Sequence, residues 1–414
     1  MYTLDAARER RLLWLLALTQ FTIIMDFMIM MPLGPQIMTA FQITPAAFAG
    51  AVSAYSWCSG LSGLLAATYI DRFDRRRLLL TIYALFVLAN LACALASSYP
   101  LLLAARAFAG ITGGVLGSVV MAIVGDVIPA ARRGAAMGII MTAFSLAAVV
   151  GVPAGVLIGA HFTWAAPFFL LVLLSGVFCL AASRVVPSLT LHLSGRPRPL
   201  AEVVPDLWRL LTNPRHMNAF ALTFTMMVSH MLVIPFISPI LVANHGVLPG
   251  QLSWLYLFGG AATLFTSRAV GRLADRYGSR NVFRIAVCIS ALPVLFVTHL
   301  PALPFIAMVL FFPFFMVAMS SRMVPMQALL TTVPEPAQRG AFLSANSALQ
   351  AVGTGCGAWF GGLLLSTQAD GRIAGYGTAG WLAVALALVV VLWVTRIKST
   401  ADNRTALPGL ASTE

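Results

Sequence analysis

The chain has 414 residues, of which 60% are hydrophobic and only 9% charged, with 26 lysines and arginines against 13 aspartates and glutamates. With a mean hydropathy of +0.91, it has too few charges to coat a soluble protein of this length, so an ordinary soluble globular fold is excluded and lipid must cover much of the surface. The net charge of +13 raises nucleic acid as a partner, which the placement of the arginines then excludes.

Apolar runs of the length needed to cross a bilayer, about 20 residues, fall near 12–34, 46–70, 78–98, 101–124, 135–159 and 165–186. The first follows Arg8, Arg10 and Arg11 as a signal peptide would, but it exceeds signal length, contains Asp26 and has no small-residue cleavage site, so it reads as a retained helix. A polar stretch, 187–216, interrupts the series, and six more runs follow near 217–243, 252–272, 282–299, 303–328, 340–366 and 377–395. The expected fold is an all-α integral membrane protein of twelve helices. It divides into a bundle over 1–186, a loop over 187–216, a second bundle over 217–396 and a tail over 397–414.

The basic residues alternate from loop to loop. Arg72, Arg75, Arg76 and Arg77, then Arg132 and Arg133, then Arg184, Arg196, Arg198, Arg209 and Arg215, the arginines from Arg268 to Arg284, Arg339, and Arg396, Lys398 and Arg404 all fall at alternate helix ends. The opposite loops carry little beyond Asp370 and Arg372. The positive-inside rule then places both termini and the 187–216 loop in the cytoplasm, and the basic pI reports topology, with no nucleic-acid partner. Cys58, Cys93, Cys179, Cys288 and Cys356 all lie inside apolar runs without a CxxC pair and read as small hydrophobes. No metal or cofactor is expected.

The chain repeats itself. Phe21–Pro32 aligns with Phe224–Pro235 without a gap, so segment 1 matches segment 7. The charged turn Asp71-Arg72-Phe73-Asp74-Arg75-Arg76-Arg77 corresponds to Asp275-Arg276-Tyr277-Gly278-Ser279-Arg280-Asn281. Pro129–Gly134 before segment 5 corresponds to Pro334–Gly340 before segment 11, with an offset that drifts only from 203 to 206. Two related six-helix halves are the architecture of a transporter.

On these residues the chain resembles the major facilitator superfamily. Gly271-Arg272-Leu273-Ala274-Asp275-Arg276-Tyr277-Gly278 is similar to that family's G-x-L-A-D-R-x-G turn, while the first copy departs from it at Ala67 and Asp74. Arg106-Ala107-Phe108-Ala109-Gly110 looks like the family's R-x-x-x-G motif on segment 4. Gly151, Pro153, Gly155 and Gly159 resemble the segment 5 motif of proton-coupled exporters, where small residues and a missing amide permit close packing and a bend. His161-Phe162-Thr163-Trp164 is similar to the branch of sugar, arabinose and purine efflux proteins, with Ala165 where an arginine is usual. The resemblance implies a conformational latch between the halves at Asp71, Arg72, Asp126, Arg133, Gly271, Asp275, Arg276 and Arg339. Purely topogenic charge is the alternative, and it suits Arg75 to Arg77 better than the aspartates.

Asp26 is the one carboxylate deep in an apolar run. A charged aspartate at a helix centre costs about 2.5–3.5 kcal/mol to insert, so it needs a partner or a wet cavity. Counted at about 1.5 Å per residue, Asp26 and Arg106 lie at similar depths, roughly 12 and 8 Å from the same membrane face, and can meet. Asp26 is read as the proton-coupling residue with Arg106 as its partner; a permanently paired packing contact is the alternative. The second half lacks the pair, having Ser229 at the Asp26 position and Phe312 near that of Arg106.

Candidate substrate-binding residues are His230, Arg322, Asn346 and Gln350. Arg322, inside segment 10, either faces the cavity and selects anionic or zwitterionic substrates or reaches the cytoplasmic interface. Asn346 and Gln350 lie one turn apart and either bind substrate or join helices. The absence of HExxH, GxSxG or paired-carboxylate signatures argues against an enzyme.

The leading functional expectation is a monomeric, multi-pass carrier of the bacterial cytoplasmic membrane that exports small molecules in exchange for protons. Import or facilitated passage of an organic anion is the alternative. In a cysteine-free background, single cysteines at Ser194 and Ala243 are expected to react with impermeant reagents from opposite sides; reaction of both from outside would overturn the twelve-helix topology.

Overall fold

The computed structural model describes residues 5–129, 132–190, 193, 200–335 and 338–397. The loop arginines Arg196 and Arg198 and the tail beyond Ile397, with Lys398 and Arg404, lie outside the described residues.

In the first half, α1 (Ala6–Ile29) ends where Pro32 removes an amide from the helical ladder. After a four-residue turn the chain resumes as α2 (Gly34–Phe41). The same event recurs in the second half, where α10 (Pro214–Met231) gives way at Pro235 to a short 3-10 turn and then to α11 (Ile237–His245). The aligned prolines thus break the first span of each half at the same place. The remaining helices of the first half are α3 (Pro45–Tyr69), α4 (Arg75–Ala94), α5 (Tyr99–Val127), α6 (Arg133–Leu146), α7 (Val152–His161) and α8 (Ala166–Val185). Between the halves the polar stretch contains a helix not expected from its composition, α9 (Leu200–Thr212). The second half continues with α12 (Leu252–Tyr277), α13 (Ser279–Thr298), α14 (Phe305–Ser321), α15 (Met323–Leu330), α16 (Arg339–Leu363) and α17 (Tyr376–Trp393).

Among the described residues, nine helical stretches are long and apolar enough to cross a membrane, and α3, which passes the same test only when taken with α2 across a bend of 116°, makes a tenth. Helices α12 and α16 complete the twelve. They are 26 and 25 residues long, more than a bilayer core requires at 1.5 Å per residue. Arg268, Arg272, Asp275 and Arg276 at the end of α12, and glycines, Ser344, Asn346, Ser347 and Gln350 along α16, make them less apolar than the rest.

Each half is built by the same packing plan. Helix α1 packs on α6 and α8, α4 on α5 and α8, and α3 on α5; in the second half α10 packs on α16 and α17, α13 on α14 and α17, and α12 on α14. The halves meet along two seams related by the repeat, α3 against α16 and α12 against α7 with the turn before it. Small residues make both seams, because backbones approach closely only where side chains are short. On one seam the Ser53 hydroxyl donates to the Gly355 carbonyl at 2.8 Å, and Trp57 and Trp359 face each other with ring centroids 5.9 Å apart.

At the arginine-poor end the halves are pressed together. Helix α2 packs on α11, and a Cβ on Gly34 would lie 2.9 Å from the Phe48 ring and 3.0 Å from Pro239. Phe48, Ile37, Phe236, Ile240 and Leu241 share one buried apolar cluster that spans both halves. At the arginine-rich end the first turns of α6 (Arg133, Gly134, Ala135) and α16 (Arg339, Gly340, Ala341) and the last three residues of α12 (Asp275, Arg276, Tyr277) are exposed. The halves are therefore packed together at one end, while at the other the ends of α6, α12 and α16 stand exposed.

The α16–α17 loop forms a two-stranded hairpin, β1 (Ser366–Thr367) with β2 (Ile373–Ala374). The Asn244 side chain at the end of α11 binds both backbone groups of Ile373 at 2.8 Å, which ties this loop to the closed end.

The α12 seam offers a direct test of close approach. A Cβ on Gly260 would lie 2.6 Å from the Ala148 carbonyl oxygen, a backbone atom that cannot swing aside. Gly260→Ala is expected to lower stability by about 1–3 kcal/mol, the usual cost of overpacking, read as a fall in Tm in detergent. An unchanged Tm would contradict the seam.

Candidate functional site

The first half holds its charged pair in the bundle interior, with Asp26 and Arg106 both 0% exposed. Arg106 Nη1 donates to Asp26 Oδ1 at 2.6 Å and Nη2 reaches the Asp26 carbonyl oxygen at 3.4 Å. The guanidinium lies 4.4 Å from the centre of the Tyr55 ring and 6.0 Å from that of Phe168, so aromatic faces supply part of the solvation that water would give. Tyr55 is itself placed by donating to the Ile23 carbonyl at 3.4 Å. Among the described residues, Asp26 Oδ2 and Arg106 Nε have no hydrogen-bond partner. Depth counting brought Asp26 and Arg106 together from sequence. Tyr55 and Phe168 were not singled out, because no local pattern marks an aromatic ring on another helix as the wall of a charge site.

The segment 5 motif brings its helix against this pair. Residues Ala147–Gly151 form a π-helical turn, and α7 follows with Pro153 in its first turn. A Cβ on Gly151 would meet Met25 Sδ at 2.6 Å, and one on Gly159 would meet Leu33 at 2.6 Å, while Gly155 faces Ile29 and Met25. The bend and the glycines thus let α7 lie directly on the face of α1 next to Asp26.

In the second half Ser229, at the repeat position of Asp26, donates its hydroxyl to the Ala383 carbonyl at 2.8 Å. Phe312, near the Arg106 position, is buried and packs on Tyr256 and Phe315. Arg322 does not reach the interface. It stands at the break between α14 and α15, is 2% exposed, and donates through Nη2 to His230 Nδ1 at 2.9 Å and to Met319 Sδ at 3.0 Å. Nη1 lies 3.4 Å from Ser290 Oγ. Because arginine only donates, His230 must accept at Nδ1, which leaves its proton on Nε2.

Asn346 accepts from the Thr223 hydroxyl at 2.8 Å and is buried against α10, the helix-joining arrangement. Gln350 accepts from Gln327 at 3.4 Å and remains half-buried. The two therefore bind different neighbours.

The arginine-rich end requires a correction. Arg75, which suited the topogenic alternative better than the aspartates did, is 3% exposed and is the centre of the first-half charge cluster. It donates to Asp71 Oδ1 at 2.6 Å, to Asp126 Oδ2 at 2.8 Å and to the Ile70 carbonyl at 2.7 Å. Arg133, grouped from sequence with Asp126, instead donates to the Ile128 and Gly125 carbonyls and so satisfies the end of α5. Arg72 is exposed. Asp275, Arg276 and Arg339 are exposed too, with Arg276 resting 5.3 Å from the Tyr277 ring; among the described residues Asp275 has no ion-pair partner. Gly271 is half-buried near Val324.

Asp74, a departure from the turn motif, caps α4. It accepts from the backbone N–H groups of Arg76 and Leu189 and from the Ser188 hydroxyl at 3.0–3.1 Å. Partial burial works against its charge, but these bonds outweigh it and hold the carboxyl below the usual aspartate value. The sign follows: this contribution to stability is present above the unfolded value of about 3.9 and is lost as pH falls through the lower folded one. Where the second copy uses Gly278 at φ +85° for the tight turn, the first uses a side-chain cap.

Two repeated six-helix halves, closed on each other at one end and holding buried charge at mid-depth, define a helical membrane carrier of the secondary-transporter kind. The sequence profile of the Major Facilitator Superfamily matches residues 16–229 and again 219–412, and the chain belongs to that superfamily. Solved structures of similar fold include the D-xylose-proton symporter, with TM-score 0.76 at 15% identity over 94% of this chain and 97% of that one. A bacterial homolog of the human lysosomal transporter Spinster, in an inward-facing and occupied conformation, matches with TM-score 0.73 at 16% identity over 97% and 98%. The nucleoside transporter NupG matches with TM-score 0.72 at 12% identity over 94% and 99%. The protein is thus a multi-pass membrane protein whose role is transport rather than catalysis.

Removing one member of the buried pair leaves an uncompensated charge, so Arg106→Ala is expected to cost about 3–5 kcal/mol. The double variant Asp26→Asn, Arg106→Gln should recover part of that loss. Tm values that add, with no recovery, would show that the two groups do not depend on each other.

Proposed function

We propose that this carrier exports small molecules across the bacterial cytoplasmic membrane in exchange for protons, with its arginine-rich end and both termini in the cytoplasm. The observation that carries the reading is the Asp26 carboxylate, fully buried, with Oδ1 held by Arg106 at 2.6 Å and Oδ2 without a hydrogen-bond partner among the described residues. A carboxylate so placed has one oxygen committed to its counter-ion and one ready to take a proton. Protonation removes the charge that holds Arg106, and the interaction between α1 and α5 weakens. Because α7 lies on α1 beside Asp26 and also forms a seam with α12, a shift there bears on how the halves meet.

The arrangement of the arginines supports the orientation, which makes the end with the exposed helix turns cytoplasmic and the conformation inward-facing. Asp275, exposed and unpaired among the described residues, is available to form a latch with the opposite half when that end closes, together with Arg276, Arg339 and the Asp71–Arg75–Asp126 cluster. The resemblance of the Gly151, Pro153, Gly155 and Gly159 motif to exporters supports the direction.

The test is transport in proteoliposomes containing the pH dye pyranine, with an imposed pH gradient and a panel of lipophilic cations, sugars and nucleobases. The wild type is expected to concentrate at least one compound against its gradient and to dissipate the pH difference as it does so. Asp26→Asn should abolish gradient-driven accumulation while retaining exchange of that compound. Accumulation by Asp26→Asn driven by the pH difference alone would remove Asp26 from coupling.

A further inference from the structure

The first helix of the first half begins with a combination that its repeat lacks. Arg10, Arg11 and Trp14 have Asn213, Pro214 and Met217 at the repeat offset of 203, so the basic and aromatic start of α1 is not a demand of the shared packing plan. Leu12, Leu13, Leu15 and Leu16 belong to the buried core of the half, together with Ala182 and Val186 at the end of α8. Trp14 lies outside that core and is 49% exposed.

Between α1 and α8 lies an open groove of about 390 Å³, lined by Arg10, Arg11, Trp14, Leu15, Leu18 and Val185. Arg11 and Leu18 are about 10 Å apart along α1, and the chemistry changes over that length. Both arginines are exposed, and Arg11 Nε donates back to the Ala7 carbonyl at 3.3 Å, which turns its guanidinium toward the start of the helix. Trp14 follows at the depth where an amphipathic ring sits between headgroups and chains, and Leu15, Leu18 and Val185 are apolar. The neighbouring face of α8 exposes Phe169, Leu173, Val177 and Leu180 at helical spacing, a stripe suited to lipid, and exposed Arg184 ends it beside Val185. Glu9, next to Arg10 in the chain, is held by both Nη atoms of Arg132 at 2.8 and 3.1 Å. Neither Arg10 nor Arg11 has an ion-pair partner among the described residues.

We propose that this groove binds one anionic phospholipid from the leaflet at the arginine-rich end, with its phosphodiester against Arg10 and Arg11 and the upper part of an acyl chain along Trp14, Leu15, Leu18 and Val185. The guanidinium groups donate charge-assisted hydrogen bonds to phosphate oxygens. Arginine charge alone would attract any anion to this surface; the apolar floor beneath it selects an anion that carries a hydrocarbon chain, and so a lipid over free phosphate. The bound lipid joins α8 to the start of α1, the helix that carries Asp26. Binding here requires neither export nor proton coupling, and the test reads neither.

The full-length protein is purified in detergent, and its tryptophan fluorescence is followed as phosphatidylglycerol or phosphatidylcholine with brominated chains is added. Trp14 borders the groove, so occupancy brings the quencher against its ring. The wild type should show a saturable quenching component with an apparent affinity about tenfold or more higher for phosphatidylglycerol, since each arginine at a membrane surface contributes about fivefold. Trp14→Phe should remove that component. The double variant Arg10→Gln, Arg11→Gln should bring the phosphatidylglycerol curve down to that of phosphatidylcholine with the Tm unchanged, because both side chains are exposed. Inorganic phosphate should not displace the lipid. Where the double variant does not fold, the wild-type comparison and Trp14→Phe decide. Equal curves for the two lipids in the wild type, persistence of the component in Trp14→Phe, an unchanged preference in the folded double variant, or displacement by phosphate would overturn the proposal.

Discussion

The low polarity of the membrane interior governs the structure, because a charge placed there must be answered by the protein itself. Arg106 meets this demand with a carboxylate at 2.6 Å and two aromatic rings. The geometry of that pair then dictates its surroundings: α1 and α5 must present the two groups at one depth, and Tyr55 on α3 must bring its ring over the guanidinium. The pair is a constraint on helix placement. Its energy is not a simple gain, since desolvating both ions offsets much of their attraction. What it supplies is one arrangement of the helices in which neither charge is left alone.

The seams between the halves obey a second constraint. Hydrocarbon is as apolar as leucine, so burying large side chains between membrane helices gains little, and close backbone approach takes over as the source of association. This accounts for the composition of α3, α12 and α16, whose serines and glycines lower their hydropathy while fitting them to the seam. The Ser53 to Gly355 hydrogen bond is the kind of contact such an approach permits. At the arginine-rich end, the first turns of α6 and α16 and the end of α12 instead carry exposed charges.

The halves share a packing plan but not their chemistry. Aligned prolines break the first span of each, and five helix pairs recur in register. Against that background the departures are informative: Asp26 becomes Ser229, Arg106 becomes Phe312, and a buried arginine appears instead at Arg322. A fold that needed the charged pair for packing alone would have reason to keep it in both halves.

The twelve runs, their division into halves, the internal repeat and the Asp26–Arg106 pairing were legible in the sequence. All depend on quantities that sequence records directly: length of an apolar run, residue type, and position along a helix of fixed rise. What lay beyond it depended on rotation about helix axes and on contacts between residues distant in the chain. Arg75 read as a loop charge and proved to be the buried centre of a cluster, because nothing local shows that Asp126, 51 positions away, returns to meet it. Asn346 read equally well as a substrate ligand, and only the facing Thr223 decided that it joins two helices. Arg322 had two readings of nearly equal standing from depth alone. The tertiary structure buries it within the second half, away from the interface, because a side chain that long can turn either way along its helix and only its neighbours, His230 and Ser290, determine which.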